Sequence, residues 1–137
     1  MKLGESLYKE LTATATINAY TSNRVYPGVA AQDAKTPYIT YSQMSRPPIH
    51  AMGNDAKLTY PRVEISFWAT SYSGMENVAE AARDHLTNYS GLLGDATSGI
   101  SVQNMFFEGQ VDIIEVNQET NEVLYRRAQD YIIWHTT

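Results

Sequence analysis

The segment Leu58–Tyr72, LTYPRVEISFWATSY, constrains the fold more than any other stretch of this chain. From Arg62 onward, apolar residues fall on alternate positions and mostly polar residues lie between them. The apolar positions are Val63, Ile65, Phe67 and Ala69. Because successive side chains of a strand point to opposite faces, this alternation predicts a half-buried β-strand. We expect Phe67 to lie in the core that this strand helps to form.

The apolar spacing changes from two to between three and four residues directly after this strand. The residues that follow the new spacing are Met75, Val78, Ala79, Ala82, Leu86 and Tyr89. They predict an amphipathic helix from about Gly74 to Asn88, with Ser73 as its N-cap and Glu76 completing a capping box. A long strand followed by such a helix is typical of a two-layer α+β domain.

Weaker patterns predict the remaining elements. A leucine spacing indicates a helix at about 2–13, the polar segment 12–23 is interpreted mostly as a connector, and 92–99 is interpreted as a loop. Strand-like runs occupy 24–26, 38–44, 100–116 with a bend at Gly109, and 124–135. The last run is apolar on both faces, which favours a central strand. The chain therefore predicts one α+β domain, residues 1–137, with a mostly antiparallel sheet of about four to five strands and two main helices packed on one face.

The segment Ser45–Lys57, SRPPIHAMGNDAK, separates two predicted strands and contains strong breakers of regular structure. It is too long for a tight hairpin, so we interpret it as a long loop on a rigid sheet, a kind of loop that often carries function. Its mixture of apolar and charged residues suits an interface. The interface candidates are Arg46, Ile49, His50, Met52, Asn54, Asp55 and Lys57. An exposed, mobile loop is the alternative.

Composition limits the possible functions. The chain has no cysteine, so it has neither a disulfide nor a thiolate metal site. Its net charge of −5 argues against binding of duplex DNA through the phosphate backbone. Ten tyrosines suit either a tyrosine-rich core or surfaces that partners cover. The N-terminus does not resemble a signal peptide, and no apolar run reaches the length of a membrane span, so we expect a soluble cytosolic chain.

No arrangement of residues indicates catalysis. His50, His85 and His135 are far apart in sequence and lack the spacing of metal ligands. The carboxylates of Asp112, Glu115 and Glu119 are most simply a solvated strand edge and turn. Arg126 and Arg127 are neighbours on a strand and therefore face opposite ways. We expect a protein that is not an enzyme and needs no cofactor or metal.

Several segments stand in a characteristic order along the chain. They are the leucine-spaced N-terminal helix, RVYPG at 24–28, TPYITY at 36–41, VEISFWA at 63–69 with the helix that follows, and LYRRAQDYIIW at 124–134. In this order, and with these gaps, they resemble the small tail completion proteins of long-tailed bacteriophages. These proteins are also called tail terminators or head-to-tail joining proteins. The resemblance extends over nearly the whole chain.

The resemblance implies a homo-oligomeric ring, commonly a hexamer, at the head-proximal end of the tail tube. Such a ring stops polymerisation of the tube and offers a surface to the head connector. It implies that the partners are further copies of this chain, the tail tube protein and the head connector protein, while DNA passes through the lumen without specific binding. The protein would be assembled in the host cytoplasm and would belong to the virion tail.

Two other functions remain open on the sequence. One is a different head-to-tail connector, or neck, component of similar build. The other is a small ligand-binding domain or an enzyme of unknown substrate.

Overall fold

The structure is a computed structural model that describes residues 2–30, 34–45, 48–51 and 54–136. Its helices are α1 (Leu3–Ala13), α2 (Ala15–Thr21) and α3 (Tyr72–Leu86). Its strands are β1 (Val25–Pro27), β2 (Tyr38–Ser45), β3 (Pro48–Ala51), β4 (Asn54–Thr59), β5 (Arg62–Ala69), β6 (Gly91–Leu93), β7 (Ile100–Asn117) and β8 (Glu122–Thr136).

The eight strands form a sheet of six ribbons, because two pairs of strands continue each other. β4 and β5 follow the same edge of β8 in one register, from Leu58 opposite Thr136 to Arg62 opposite Ile132. β3 pairs with β4 in the same antiparallel way as β2 pairs with β5. The ribbon of β2 and β3 and the ribbon of β4 and β5 therefore form one long hairpin, whose pairing is interrupted between the two halves. The order across the sheet is β1, β2–β3, β4–β5, β8, β7, β6. All the neighbours are antiparallel except β1 and β2, which are parallel.

The α+β class is confirmed, and the sheet is mostly antiparallel with one parallel pair, β1 with β2, that the sequence did not predict. The sheet is larger than the expected four to five strands, and the described residues form three helices instead of two main ones. The additional helix, α2, lies in the segment that we expected to be mostly connector. Its buried residues are Ile17 and Thr21, one turn apart, so packing against α3 stabilises a helix whose composition gives little signal.

The segment 45–57 was predicted to be a loop, and this prediction is wrong for its described part. β3 and most of β4 lie within it and form the far end of the long hairpin. The ladder shifts register between Gln43 and Ser45 and again between Pro48 and His50. A proline at the first position of a strand or at an irregular pair is compatible with a sheet, because no regular hydrogen bond is lost there.

The boundaries of two other elements also differ from the prediction. α3 begins at Tyr72, and its N-cap is Ser71, whose hydroxyl accepts a hydrogen bond of 3.1 Å from the Gly74 N–H. Ser73, the predicted cap, lies inside the helix. The expected loop 92–99 begins with the last two residues of β6, which pair with the start of β7.

The core lies between the helices and one face of the sheet, as the strand pattern predicted. Val63, Ile65, Phe67 and Ala69 are all buried, and Phe67 has no exposed surface. The apolar sides of the helices complete the core with Leu7, Leu11, Ile17, Val78, Ala79, Ala82 and Leu86. β8 lies between β4–β5 on one edge and β7 on the other, which confirms its central place.

Gly94 follows β6 and lies against α1, so it is a sensitive test of this packing. Its φ is +92°, and a Cβ built there would lie 2.8 Å from the backbone of Ser6. We expect Gly94→Ala to lower the free energy of unfolding by about 2–4 kcal/mol, through backbone strain and the clash together. Gly28→Ala is the matched control, because Gly28 has φ +77° but no atom within 4 Å of a built Cβ. Equal losses in denaturant unfolding would contradict the clash.

Candidate assembly surfaces

A row of aromatic side chains crosses the face of the sheet that no described helix covers. Tyr26 meets Tyr38 edge to face at 6.0 Å, and Tyr38 stacks on Trp68 at 5.8 Å between ring centroids. The Trp68 indole N–H donates a 3.0 Å hydrogen bond to the hydroxyl of Thr40. The guanidinium of Arg126 lies 5.0 Å from the centre of the Trp68 ring. These contacts order large side chains on a surface that remains accessible.

Arg126 is held in place by polar contacts on the same face. One of its terminal nitrogens lies 2.6 Å from a Glu64 carboxylate oxygen, and its Nε donates to the Ser66 hydroxyl at 3.1 Å. Burial raises the pKa of the Tyr38 phenol, and the nearby Glu115 carboxylate adds to the shift. Glu115 belongs to the far end of the β7–β8 hairpin and lines the same surface depression as Tyr38. The face is thus aromatic, with its central charges paired.

The outer edge of β7 is open over most of its length. β6 pairs with it only as far as Val102, and the Met105 carbonyl accepts a 2.9 Å hydrogen bond from the Asn88 N–H. From 106 to 117, no described strand pairs with β7 on that side. Four large apolar residues on this stretch are 42–59 % exposed: Phe106, Val111, Ile114 and Val116. An unpaired edge with exposed apolar side chains is ready to pair with another strand.

An arm projects from the opposite edge of β8. We use this name for β3 together with residues 54–57 of β4. Among the described residues, β8 pairs with β4 only at Leu58 and Thr59, so the arm extends beyond Thr136 as a two-stranded ribbon. At its base, the Thr59 hydroxyl and Nε2 of His135 lie 3.1 Å apart and are both buried. The arm therefore starts from a fixed point of the core.

The arm contains most of the interface candidates from the sequence. Ile49 and His50 lie in β3, and Asn54, Asp55 and Lys57 lie in β4. The structure therefore brings these five residues onto one short ribbon. Arg46 and Met52, the other two candidates, lie outside the described residues.

A cluster of polar groups fixes α3 to the β7–β8 hairpin. Arg127, with a side chain only 6 % exposed, reaches the Asp112 carboxylate from Nε at 2.7 Å and from a terminal nitrogen at 3.1 Å. It also donates to the Tyr72 hydroxyl at 3.1 Å and lies within 4 Å of Glu76 and Glu80 of α3. Arg126 and Arg127 thus face opposite sides of the sheet, as predicted, and the Asp112 carboxylate forms part of a structural ion pair.

This ion pair should make stability dependent on acid. The hydrogen bond from Arg127 holds the pKa of Asp112 below its ordinary value of 3.8. A lowered pKa in the folded state adds stability above pH 3.8, and this stability is lost as the pH falls through the folded value. The free energy of unfolding of the wild-type protein should therefore decrease as the pH falls below about 4. We expect a smaller decrease in the Asp112→Asn variant, measured by urea unfolding at a series of pH values. In an Arg127→Gln background the same change should have little further effect, and an unchanged slope in the single variant would contradict this role.

His85 and His135 have structural partners. His85 lies 2.7 Å from the Glu10 carboxylate and 3.3 Å from the Thr14 hydroxyl, which joins α3 to α1. Among the residues that the structure describes, no three His, Cys, Asp or Glu side chains form a group suited to a metal ion. Within the same ranges, no helix is long and apolar enough to cross a membrane.

Sequence analysis missed two of these features, the open edge of β7 and the buried Arg127 cluster. The run Val111 to Val116 is apolar at most positions, so it predicted a strand but not the side on which it lacks a neighbour. Asp112 and Arg127 are distant in sequence, and only the register of β7 on β8 makes them direct neighbours.

The fold and these surfaces define a class of protein, a small α+β protein whose single sheet leaves strand edges open in its described part. Comparison with protein families then makes the identification specific. The chain belongs to the family "Tail completion protein gp17", whose model matches residues 5–136. It is therefore a structural component of phage tails and of the virion, and its role is in tail completion.

Two further comparisons bear on the fold and on close relatives. A chain in the solved structure "Virion of native gene transfer agent (GTA) particle" is similar, with a TM-score of 0.70 and 14 % sequence identity. The match covers 98 % of this chain and 95 % of that chain. At this identity the likeness supports the fold alone. No curated protein matches the sequence.

Proposed function

We propose that this protein is the tail terminator. Copies of the chain form a homo-oligomeric ring, a hexamer in the form that the family resemblance implies, at the head-proximal end of the tail tube. The ring stops polymerisation of the tube and provides the surface to which the head attaches. The observation that carries this proposal is the family match over residues 5–136. The two open edges of the fold support it, because a ring needs two different contact surfaces on each subunit.

The partners follow from this position in the tail. One side of the ring meets the tail tube protein and the other meets the head connector protein, while DNA passes through the lumen without specific binding. The net charge of −5 suits such a channel, because a wall without a basic surface gives phosphate groups little to bind. The open sheet face should likewise bind DNA only weakly, because the guanidinium of Arg126 on this face is already paired with the Glu64 carboxylate.

The arm is the part of the subunit that we assign to assembly. It carries Ile49, His50, Asn54, Asp55 and Lys57, and the neighbouring candidates Arg46 and Met52 belong to the same segment. A ribbon of two strands beyond the edge of a core has few partners of its own, so contact with another subunit or with the lumen would complete it.

Electron microscopy of particles made without this protein tests the proposed function. We expect tails of irregular and excessive length that do not join heads, and we expect normal tails when the protein is supplied from a plasmid. Tails of normal length that fail to join heads would assign the protein to the neck instead. Normal, head-bearing particles would overturn both roles.

Purified protein gives an independent test of the ring. Size-exclusion chromatography with light scattering, in the presence and absence of tail tubes, measures the number of copies in the assembled species. A ring of defined copy number on tube ends is expected. A single copy bound at each tube end would contradict the proposal.

A further inference from the structure

A groove lies beside the first turns of α1, near the ends of β2 and β8 and the start of β7. Its volume is about 1040 Å³, at the upper end of the range for ligand pockets. Leu3, Tyr41 and Ile100 supply apolar lining, and Lys2 and Lys9 line the groove from α1. The groove therefore combines apolar surface with basic side chains.

The ammonium groups of Lys2 and Lys9 have no carboxylate partner among the residues that the structure describes. The one acid that lines the groove, Glu5, lies in the first turn of α1 and accepts a 3.5 Å hydrogen bond from the Lys2 main-chain N–H. Most other described basic side chains are engaged within the subunit: Arg126 and Arg127 in ion pairs, Arg83 over the ring of Phe107, and Arg24 on two main-chain carbonyls. The groove thus brings two free cations together.

An exposed surface at the other end of the strands has the complementary character. We call it the acidic patch, and it consists of Tyr72, Glu76 and Glu80 of α3 with Asp112 and Ile114 of β7. Its three carboxylates face a single guanidinium, that of Arg127, so negative charge is in excess. Glu76 and Glu80 approach this guanidinium only to 3.7 and 3.6 Å, and their side chains are about half exposed. The acidic patch therefore offers incompletely neutralised carboxylates beside exposed apolar side chains.

The groove and the acidic patch cannot meet within one chain. Ile114 pairs with Tyr125 near the start of β8, whereas His135, which lines the groove, lies near the end of this strand. At about 3.3 Å per residue, the strand from Tyr125 to His135 is about 33 Å long, far beyond the reach of a lysine side chain. The two surfaces can therefore bind each other only between copies of the chain.

We infer that the groove of one copy binds the acidic patch of the next copy, with Lys2 and Lys9 opposite Glu76 and Glu80. This inference rests on the proposed ring. Each subunit uses the groove at one contact and the acidic patch at the other, and these are the two different surfaces that a closed ring requires. The ammonium groups neutralise the excess carboxylates, and the apolar lining of the groove covers Ile114.

Charge selects another copy of this chain as the occupant of the groove. Residues 71–136, which include the acidic patch, contain ten acidic and three basic residues. The described residues 2–30 and 34–45, which supply most of the groove, contain two acidic and four basic residues. Each subunit thus carries opposite charges at its two ends, and such an arrangement favours head-to-tail contacts between identical copies.

The position of the arm agrees with this contact. Leu58, at the base of the arm, pairs with Thr136, which also lines the groove. A copy that binds in the groove therefore lies next to the arm. The arm and the groove would then contribute to one continuous interface.

Charge reversal tests the contact. Lys2→Glu together with Lys9→Glu should raise the protein concentration needed for half-maximal assembly by about tenfold or more, because the groove then repels the acidic patch. Glu76→Lys together with Glu80→Lys should have the same effect. We expect all four substitutions in one chain to restore assembly to within about threefold of wild type, because the charges are complementary again. A combined variant that assembles no better than the two double variants would overturn the inference.

A second pair of variants leaves the ion pairs of Arg127 unchanged. Ile114→Lys should weaken assembly by about tenfold or more, because it places an ammonium group against the lysines of the groove. Val111→Lys is the matched control, since Val111 lies on the same strand, is 56 % exposed where Ile114 is 59 % exposed, and faces the other side of the sheet. Thermal unfolding of each variant checks that the fold is retained. Equal assembly of the two variants would contradict the assigned surface.

The two proposals fail in distinguishable ways. If wild-type protein treated with an amine cross-linker gives no oligomer, even on tails, the proposed ring is wrong. If it gives a ring and the variant with Lys2→Glu and Lys9→Glu assembles as the wild type does, the ring stands and the assigned contact is wrong. If that variant forms normal rings but leaves tails incomplete, the groove binds an acidic segment of another tail component, which also overturns the inference.

Discussion

Replacing Ile49–Lys57 with a short Gly-Ser turn should abolish ring formation and tail completion while leaving the domain folded. The cut removes most of the arm but keeps Pro48 opposite Thr59. Leu58 and Thr59 keep their pairing with β8, and the buried contact between Thr59 and His135 is retained. Shortening a connection costs little in closure entropy, so the melting temperature should change by only about a few degrees. Thermal unfolding, light scattering and infectivity measure the three outcomes.

The turn of the other long hairpin provides a matched control. Replacing Gln118–Thr120, between β7 and β8, with Gly-Ser-Gly changes the connection of a second long hairpin while keeping Asn121, whose φ is +59°. This variant should assemble normally. If the shortened arm also assembles and gives infectious particles, the arm has no role in assembly, and the interface must lie on the helices or on other edges of the sheet.

Phe67→Ala should lower the free energy of unfolding by about 3–5 kcal/mol. Phe67 lies on β5 between β2 and β8, it is fully buried, and the helices cover its face. Truncation removes the transfer free energy of the ring and leaves a cavity in a sheet that cannot readily collapse around it. Urea unfolding, read by circular dichroism, measures the change.

Phe106→Ala is the control for the size of this effect. Phe106 lies on β7 and is 42 % exposed, so the same truncation there should cost less than about 1 kcal/mol in the isolated subunit. A loss below 1 kcal/mol for Phe67→Ala, or equal losses for the two variants, would contradict the place of Phe67 in the core.

Of the functions that the sequence leaves open, family membership favours a structural role in the phage tail. A ligand-binding or enzymatic role had no arrangement of residues to support it, and the match to tail completion proteins gives the chain a structural role in the virion. The ring, its partners and the use of the arm are proposals that rest on that role. They predict different defects: overlong tails for a lost terminator, and normal headless tails for a lost neck component.

The sequence alone determined those elements whose burial leaves a regular pattern. The alternation from Val63 to Ala69, the helical spacing from Met75 to Leu86 and the two-sided apolar character of β8 each predicted the correct element and its buried face. These patterns are readable because a strand or helix on a core must present apolar residues at its own period. The short segments that carried the family resemblance come largely from the same elements.

Only the tertiary structure decided what depends on neighbours distant along the chain. α2 is helical because its few buried residues pack against α3. β3 and β4 form strands because they continue the pairing of β2 with β5. Arg127 meets Asp112 because β7 lies on β8 in one particular register. The open edge of β7 is likewise invisible in the sequence, because a strand has the same residue pattern whether one or both of its edges are paired. Side-chain pattern reports burial, whereas edge pairing is made by the main chain, which is nearly the same at every residue.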